Sequence, residues 1–150
     1  MGRVYEAEQQ PLGRAVAVKI LDVRPEIGST ASEGRYHERF LREASLLARL
    51  THPNTVRVYD YGTTGATPFL VMEYVRGVTL RALLGGRPLA PLRVVRIARQ
   101  ICASLEEAHG LGLVHRDLKP GNVLVSEGPD GDVVKVVDFG LVKESRTPPT

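Results

Sequence analysis

Between His115 and Asn122 the chain reads His-Arg-Asp-Leu-Lys-Pro-Gly-Asn, and 21 positions after Asp117 it reads Asp138-Phe139-Gly140. Residues His115 to Gly121 form a loop signal, dense in polar side chains and broken by Pro-Gly. A short strand is expected at Asn122 to Val125, a turn at Pro129 to Gly131, and a second strand at Val133 to Val137 that delivers the chain to Asp138.

The residues before that loop divide into two halves. Arg3 to Ala7 and Ala15 to Leu21 read as a hairpin around a turn at Gln9 to Gly13, and alternation along the second strand puts Ala15, Ala17, Lys19 and Leu21 on one face. Arg24 to Gly34 reads as loop. From Arg35 to Leu50 a helical period runs through Tyr36, Phe40, Ala44, Leu47 and Ala48, and Glu43 sits on or beside this apolar stripe. A carboxylate there needs a cation from elsewhere in the fold.

Strands at Val56 to Tyr61 and Phe69 to Tyr74 are joined through Gly62 to Gly65, and Arg76-Gly77 marks a hinge. A short helix near Thr79 to Leu84 precedes a long one opened by Pro91. Its apolar positions are Val94, Ile97, Ala98, Ile101, Leu105 and Ala108, and Gly110 or Gly112 ends it. Cys102 is expected to pack in the core from this helix. The tail from Lys143 to Thr150 looks unstructured.

The 150 residues are 43% hydrophobic and 25% charged, enough to bury a core. Twenty Lys and Arg against 17 Asp and Glu give a formal net charge of +3, spread along the chain, which is too mild to imply nucleic acid. No apolar run approaches the roughly 20 residues of a membrane-spanning helix. One cysteine cannot form an internal disulfide, so nothing marks an oxidising compartment, and the cytoplasm is the expected location.

Phosphoryl transfer from ATP requires a cation on the phosphates, oxygen ligands for Mg²⁺ and a carboxylate near the attacking hydroxyl. Each is present here. The string His115 to Asn122 and the triplet Asp138 to Gly140 resemble the catalytic loop and metal-binding element of eukaryotic-like protein kinases, and the Lys-Pro-Gly-Asn ending resembles their bacterial serine/threonine branch. Ala15-Val16-Ala17-Val18-Lys19 is similar to the strand that carries the family's ATP-binding lysine. Met1 to Val4 is similar to the end of its glycine-rich loop. The implied fold is α+β and two-lobed: residues 1–75 form an antiparallel sheet with one helix, and residues 76–150 hold the hinge and the first part of a mostly helical lobe.

The resemblance also implies roles. Lys19 would hold the α- and β-phosphates and be oriented by Glu43, while Asn122 and Asp138 would bind Mg²⁺. Asp117 would take the proton of the acceptor hydroxyl, and Lys119 would contact the γ-phosphate, which points to Ser or Thr acceptors in a protein substrate. The nucleotide would also touch Gly2, Val4, Ala17, Met72 and Leu124, and the backbone of Glu73 and Val75. Leu47, Val58, His115 and Phe139 match an internal hydrophobic column. Arg116 would read a phosphate on the activation segment, with Thr147 and Thr150 nearby.

Singly, each residue has a plainer reading: an edge lysine, a surface glutamate, a strand-to-turn exit. Their joint order and spacing decides for the kinase reading. Small-molecule phosphotransferases share the Asp-x-x-x-x-Asn spacing, but Arg116, Lys119 and Asp138-Phe139-Gly140 favour a protein kinase. Relative to the family pattern, the chain begins where the glycine loop ends and stops inside the activation segment, so a truncated domain is expected, from a misread or broken reading frame. Residues 1–150 alone are then expected to transfer phosphate poorly. The alternative is a noncatalytic module that binds nucleotide or a partner.

Overall fold

Alternating β-branched residues and a helical apolar period produce two small sheets and two long helices in the computed structural model, which describes residues 2–21 and 30–140. Strands β1 (Arg3–Gln9), β2 (Arg14–Ile20), β3 (Val58–Thr64) and β4 (Thr67–Glu73) form an antiparallel sheet in the order β1-β2-β4-β3. Helix α1 (Thr30–Leu47) packs against its strands β3 and β4. Strand β5 (Val78–Thr79) and helices α2 (Leu80–Leu84) and α3 (Pro91–Gly110) follow, and β6 (Val123–Gly128) and β7 (Gly131–Val136) complete a second sheet, β5-β6-β7. The architecture is α+β in two lobes, as the sequence implies.

One core spans both lobes. Phe40, Ala44 and Leu47 of α1 are buried with Leu70 and Met72 of β4, and the same cluster reaches Ala108, Val136 and Phe139. The buried α1 residues stand three and four apart, the spacing that makes one face of a helix continuous. A second cluster, Ile97, Val123, Val125 and Val134, fastens α3 to the small sheet.

Local chemistry sets the boundaries. The Thr79 hydroxyl accepts from the Ala82 N–H and caps α2. Gly77 passes so close to β6 that an added Cβ would lie 2.7 Å from the Val125 carbonyl oxygen. At the β3–β4 turn Gly65 takes φ +59, and the strands extend to Thr64↔Thr67, so Gly62 to Thr64 belong to the strand rather than the turn.

Four expectations change. Thr30 to Gly34, read as loop, is the first part of α1, because the apolar stripe begins only at Tyr36 and leaves the helix's opening turns without a periodic signal. The rest of that loop, residues 22–29, and the tail 141–150 with Thr147 and Thr150 lie outside the described residues. Asn122, placed in a strand, instead ends a single 3₁₀ turn, Pro120–Asn122, as Pro120 favours a tight turn there. Cys102 is exposed, and so are Val94 and Ala98. Helix α3 carries two apolar stripes, and the buried one runs through Ile97, Ser104 and Ala108.

Candidate active site

The loop from His115 to Asn122 is shaped by bonds among its own residues. His115 is 3% exposed; its Nε2 lies 2.9 Å from the Val137 carbonyl and its Nδ1 accepts from the Asp117 N–H. Those two partners place the ring proton on Nε2. The ring packs on Phe139, with centroids 4.6 Å apart. His115 is thus a structural pin, as the sequence suggests, and it fixes where Asp117 begins.

Asp117 is aimed by its neighbours. Asn122 Nδ2 donates to the Asp117 carbonyl at 2.8 Å and to its Oδ2 at 3.2 Å, and Lys119 Nζ donates to the same Oδ2 at 2.9 Å. Charge-assisted bonds of this length hold a carboxylate in one orientation. The Gly140 N–H closes the ring by donating to the His115 carbonyl. A Cβ at Gly140 would sit 3.1 Å from that oxygen, so the approach favours glycine. Arg116 and Asp138, on either side of this closure, both adopt left-handed backbone, φ 62 and 58.

Lys19 comes from β2, where it pairs with Val4 of β1 and Leu70 of β4. Ala17 pairs with Met72 in the next register step, so Val4, Ala17, Lys19 and Met72 share one face of the sheet. Lys19 Nζ reaches across the lobes to Asp138 Oδ1 at 2.7 Å. The expected pairing of Lys19 with Glu43 is replaced: among ion pairs of the described residues, Glu43 engages Arg39 at 3.3 Å and Arg116 at 3.8 Å. Arg39 lies one turn before Glu43 on α1 and Arg116 comes from the loop 115–122.

The residues expected at the nucleotide occupy distinct positions. Met72 lines a small enclosed cavity with Lys19, Leu47, Val58, Asp138 and Phe139, which joins the expected column to the lysine and the aspartate. Gly2 runs so near β2 that a Cβ would meet the Ile20 carbonyl oxygen at 2.5 Å. Val4 is exposed and Leu124 is half-buried on β6. Glu73 ends β4, opposite Val16. Val75 packs against the core cluster, and no backbone hydrogen bond among the described residues uses it.

The donor set suits Mg²⁺. Asn122 directs its amide nitrogen to Asp117, which leaves its Oδ1 as a hard oxygen donor, and Lys19 takes only Oδ1 of Asp138. One carboxylate and one amide make a sparse site, the kind Mg²⁺ completes with water and substrate phosphates. No group of three or more His, Cys, Asp or Glu side chains suited to a metal occurs among the described residues.

Two features went unread in the sequence. Lys135 of β7 pairs with Glu73 at 2.9 Å; a lysine inside the apolar run Val133 to Val137 was the available signal. The segment from Thr51 to Val56 is stitched to α3 and β7, with Glu107 accepting from the Thr51 and His52 N–H groups. Asn54 Nδ2 donates to Gln100 and to the Val134 carbonyl. Ordinary-looking polar residues carry that seam, and no periodicity announces it.

The chain is 46% identical over 141 residues to the serine/threonine-protein kinase PknL of Mycobacterium tuberculosis, covering 93% of this chain and 33% of that protein. It is 40% identical over 145 residues to the serine/threonine-protein kinase pkn2 of Myxococcus xanthus, covering 95% and 17%. The chain therefore spans a third or less of these curated relatives. Among solved structures, the Mycobacterium tuberculosis PknI kinase domain aligns with TM-score 0.76 at 30% identity over 95% of this chain and 56% of that one. A structure of Rad53 1–466 in complex with AMP-PNP aligns with TM-score 0.78 at 30% identity, over 94% of this chain and 35% of that one. No described helix is long and apolar enough to cross a membrane. With residues 1–150 matched throughout by the family model described as the protein kinase domain, this chain belongs to that family.

Proposed function

We propose that the protein carrying this chain transfers the γ-phosphoryl group of ATP, with Mg²⁺, to serine or threonine hydroxyls of protein substrates. The observation that carries this reading is the catalytic loop, where Asn122 and Lys119 both bond Asp117 Oδ2 at 3.2 and 2.9 Å. An aspartate so aimed receives the proton of the acceptor hydroxyl as its oxygen bonds to the γ-phosphorus. The bond from that phosphorus to the bridging oxygen breaks, and ADP leaves with the electron pair. Lys119, already beside Asp117, neutralises charge on the moving phosphoryl group. Lys19 holds the α- and β-phosphates, and Asn122 and Asp138 supply the oxygens for Mg²⁺, which when bound offsets phosphate charge. Val4, Ala17, Met72 and Leu124 enclose the adenine, with the Glu73 and Val75 backbone at its polar edge.

A second reading, a module that binds nucleotide without transferring phosphate, draws on the pairing of Glu43 with Arg39 and Arg116 instead of Lys19. One experiment separates the two. The protein as its gene encodes it is given labelled ATP, Mg²⁺ and a generic basic protein acceptor, alongside its Asp117→Asn variant, and nucleotide binding is measured for both. The kinase reading expects transfer to Ser and Thr that falls about 10³-fold in the variant while binding persists. Binding without transfer in either protein establishes the second reading.

A further inference from the structure

Lys135 lies outside the phosphate and metal positions, yet it joins the two lobes at the nucleotide edge. Its Nζ meets Glu73 Oε2 at 2.9 Å, with the two side chains 17% and 25% exposed. That carboxylate oxygen also accepts from the Arg57 N–H at 3.2 Å, and the Glu73 N–H donates to the Arg57 carbonyl at 2.8 Å. Lys135 further reaches the Thr55 carbonyl at 3.5 Å. One ammonium thus gathers the end of β4, the segment before β3 and strand β7.

The consequence lies in what each partner carries. Glu73 is the residue whose backbone the functional reading places against the adenine. The chain runs in three residues from Lys135, on β7, to Asp138 beyond the strand's end, and Val136 exchanges backbone bonds with the 54–56 segment. The lysine is therefore tied to the residue at the adenine edge and stands three positions before the metal-side aspartate. A half-buried carboxylate deprived of its cation turns toward water, and the backbone that bears it follows.

We propose that Lys135 is a positioning residue for adenine recognition: paired with Glu73, it fixes the backbone at the end of β4 against which the base is read. The inference rests on the nucleotide-binding reading above, and it makes adenine affinity, rather than phosphate chemistry, the property that Lys135 controls.

The test uses the protein as its gene encodes it, with Lys135→Met, Lys135→Arg and the charge-swapped pair Lys135→Glu with Glu73→Lys. Dissociation constants are measured for Mg-ATP, adenosine and Mg-tripolyphosphate, with KM and kcat where transfer is detected. Lys135→Met is expected to weaken ATP and adenosine by a common factor of about ten, with tripolyphosphate and kcat within about threefold of the parent. Lys135→Arg and the swapped pair recover most of the lost affinity. Unchanged adenosine binding in Lys135→Met overturns the inference, as does equal weakening of all three ligands, which marks a general loss of structure. A parent protein that binds neither ATP nor adenosine removes the nucleotide reading itself, a result distinct from both.

Discussion

The foot of α1 and the face of α1 that bears Glu43 are held in opposite ways. At the foot, Leu47 and Leu50 are buried and the following segment is bonded into the other lobe. Glu107 accepts from the backbone of Thr51 and His52, Thr55 shares a 2.7 Å hydrogen bond with Ser104 where both are 2% exposed or less, and Val56 donates to the Val136 carbonyl. One turn up the helix, Glu43 is met by arginines whose side chains are 42% and 46% exposed. Buried bonds are costly to leave unmade, whereas solvated ion pairs contribute about 0–1 kcal/mol. The helix is fixed at its base by buried bonds and held at Glu43 by pairs with exposed arginines, so rearranging those pairs costs little.

That contrast can be broken. Ser104→Ala leaves the buried Thr55 hydroxyl without its partner and is expected to lower unfolding stability by about 1–3 kcal/mol in urea titrations. Adding Thr55→Val should recover most of the loss, since both polar groups are then gone. A single variant as stable as the parent would mean that the foot is not fastened as described.

A smaller effect tests the same seam through pH. Burial works to raise the Glu107 carboxyl, but the Thr51 and His52 N–H groups and the Thr51 hydroxyl outweigh it and hold the group below its usual range. A carboxyl depressed in the folded state stabilises fully above its unfolded value, about 4.3, and that contribution is lost as pH falls through the folded value. Glu107→Gln should therefore be less stable than the parent at neutral pH, and the two should converge in acid. Parallel pH curves would contradict the assignment.

The smallest change belongs to the outer face. Arg39→Gln removes one i,i+4 pair and should alter stability by less than about 0.5 kcal/mol. A loss comparable to that of Ser104→Ala would show the Glu43 face to be as firmly held as the foot, and would end the comparison.

The sequence disclosed those parts of the fold whose physics is local. Pro91 opened α3, alternation found β2 with Lys19 on the face of Ala17, and the Pro-Gly step announced the loop that aims Asp117. It disclosed less where the deciding contact is distant. Helix α3 has apolar residues on two stripes, and only the packing of Ile97 and Ala108 on the sheet and the other lobe decides which is covered, so Cys102 fell on the wrong side. Glu43 needed a cation, as its place beside the stripe required, but spacing could not show that Arg39 and Arg116 would meet it rather than Lys19. Lys135 was visible as a charge in an apolar strand, yet its partner lies 62 positions away.

The two left-handed residues, Arg116 and Asp138, set a limit on engineering this protein. Such backbone suits glycine and costs other residues about 1–2 kcal/mol. A screen that rewarded heat resistance alone would therefore favour Arg116→Gly or Asp138→Gly. The survivors would be more durable and would lack a guanidinium or the carboxylate proposed for Mg²⁺. Durability and the proposed function draw on the same two positions, so thermostabilised versions are better sought elsewhere in the chain.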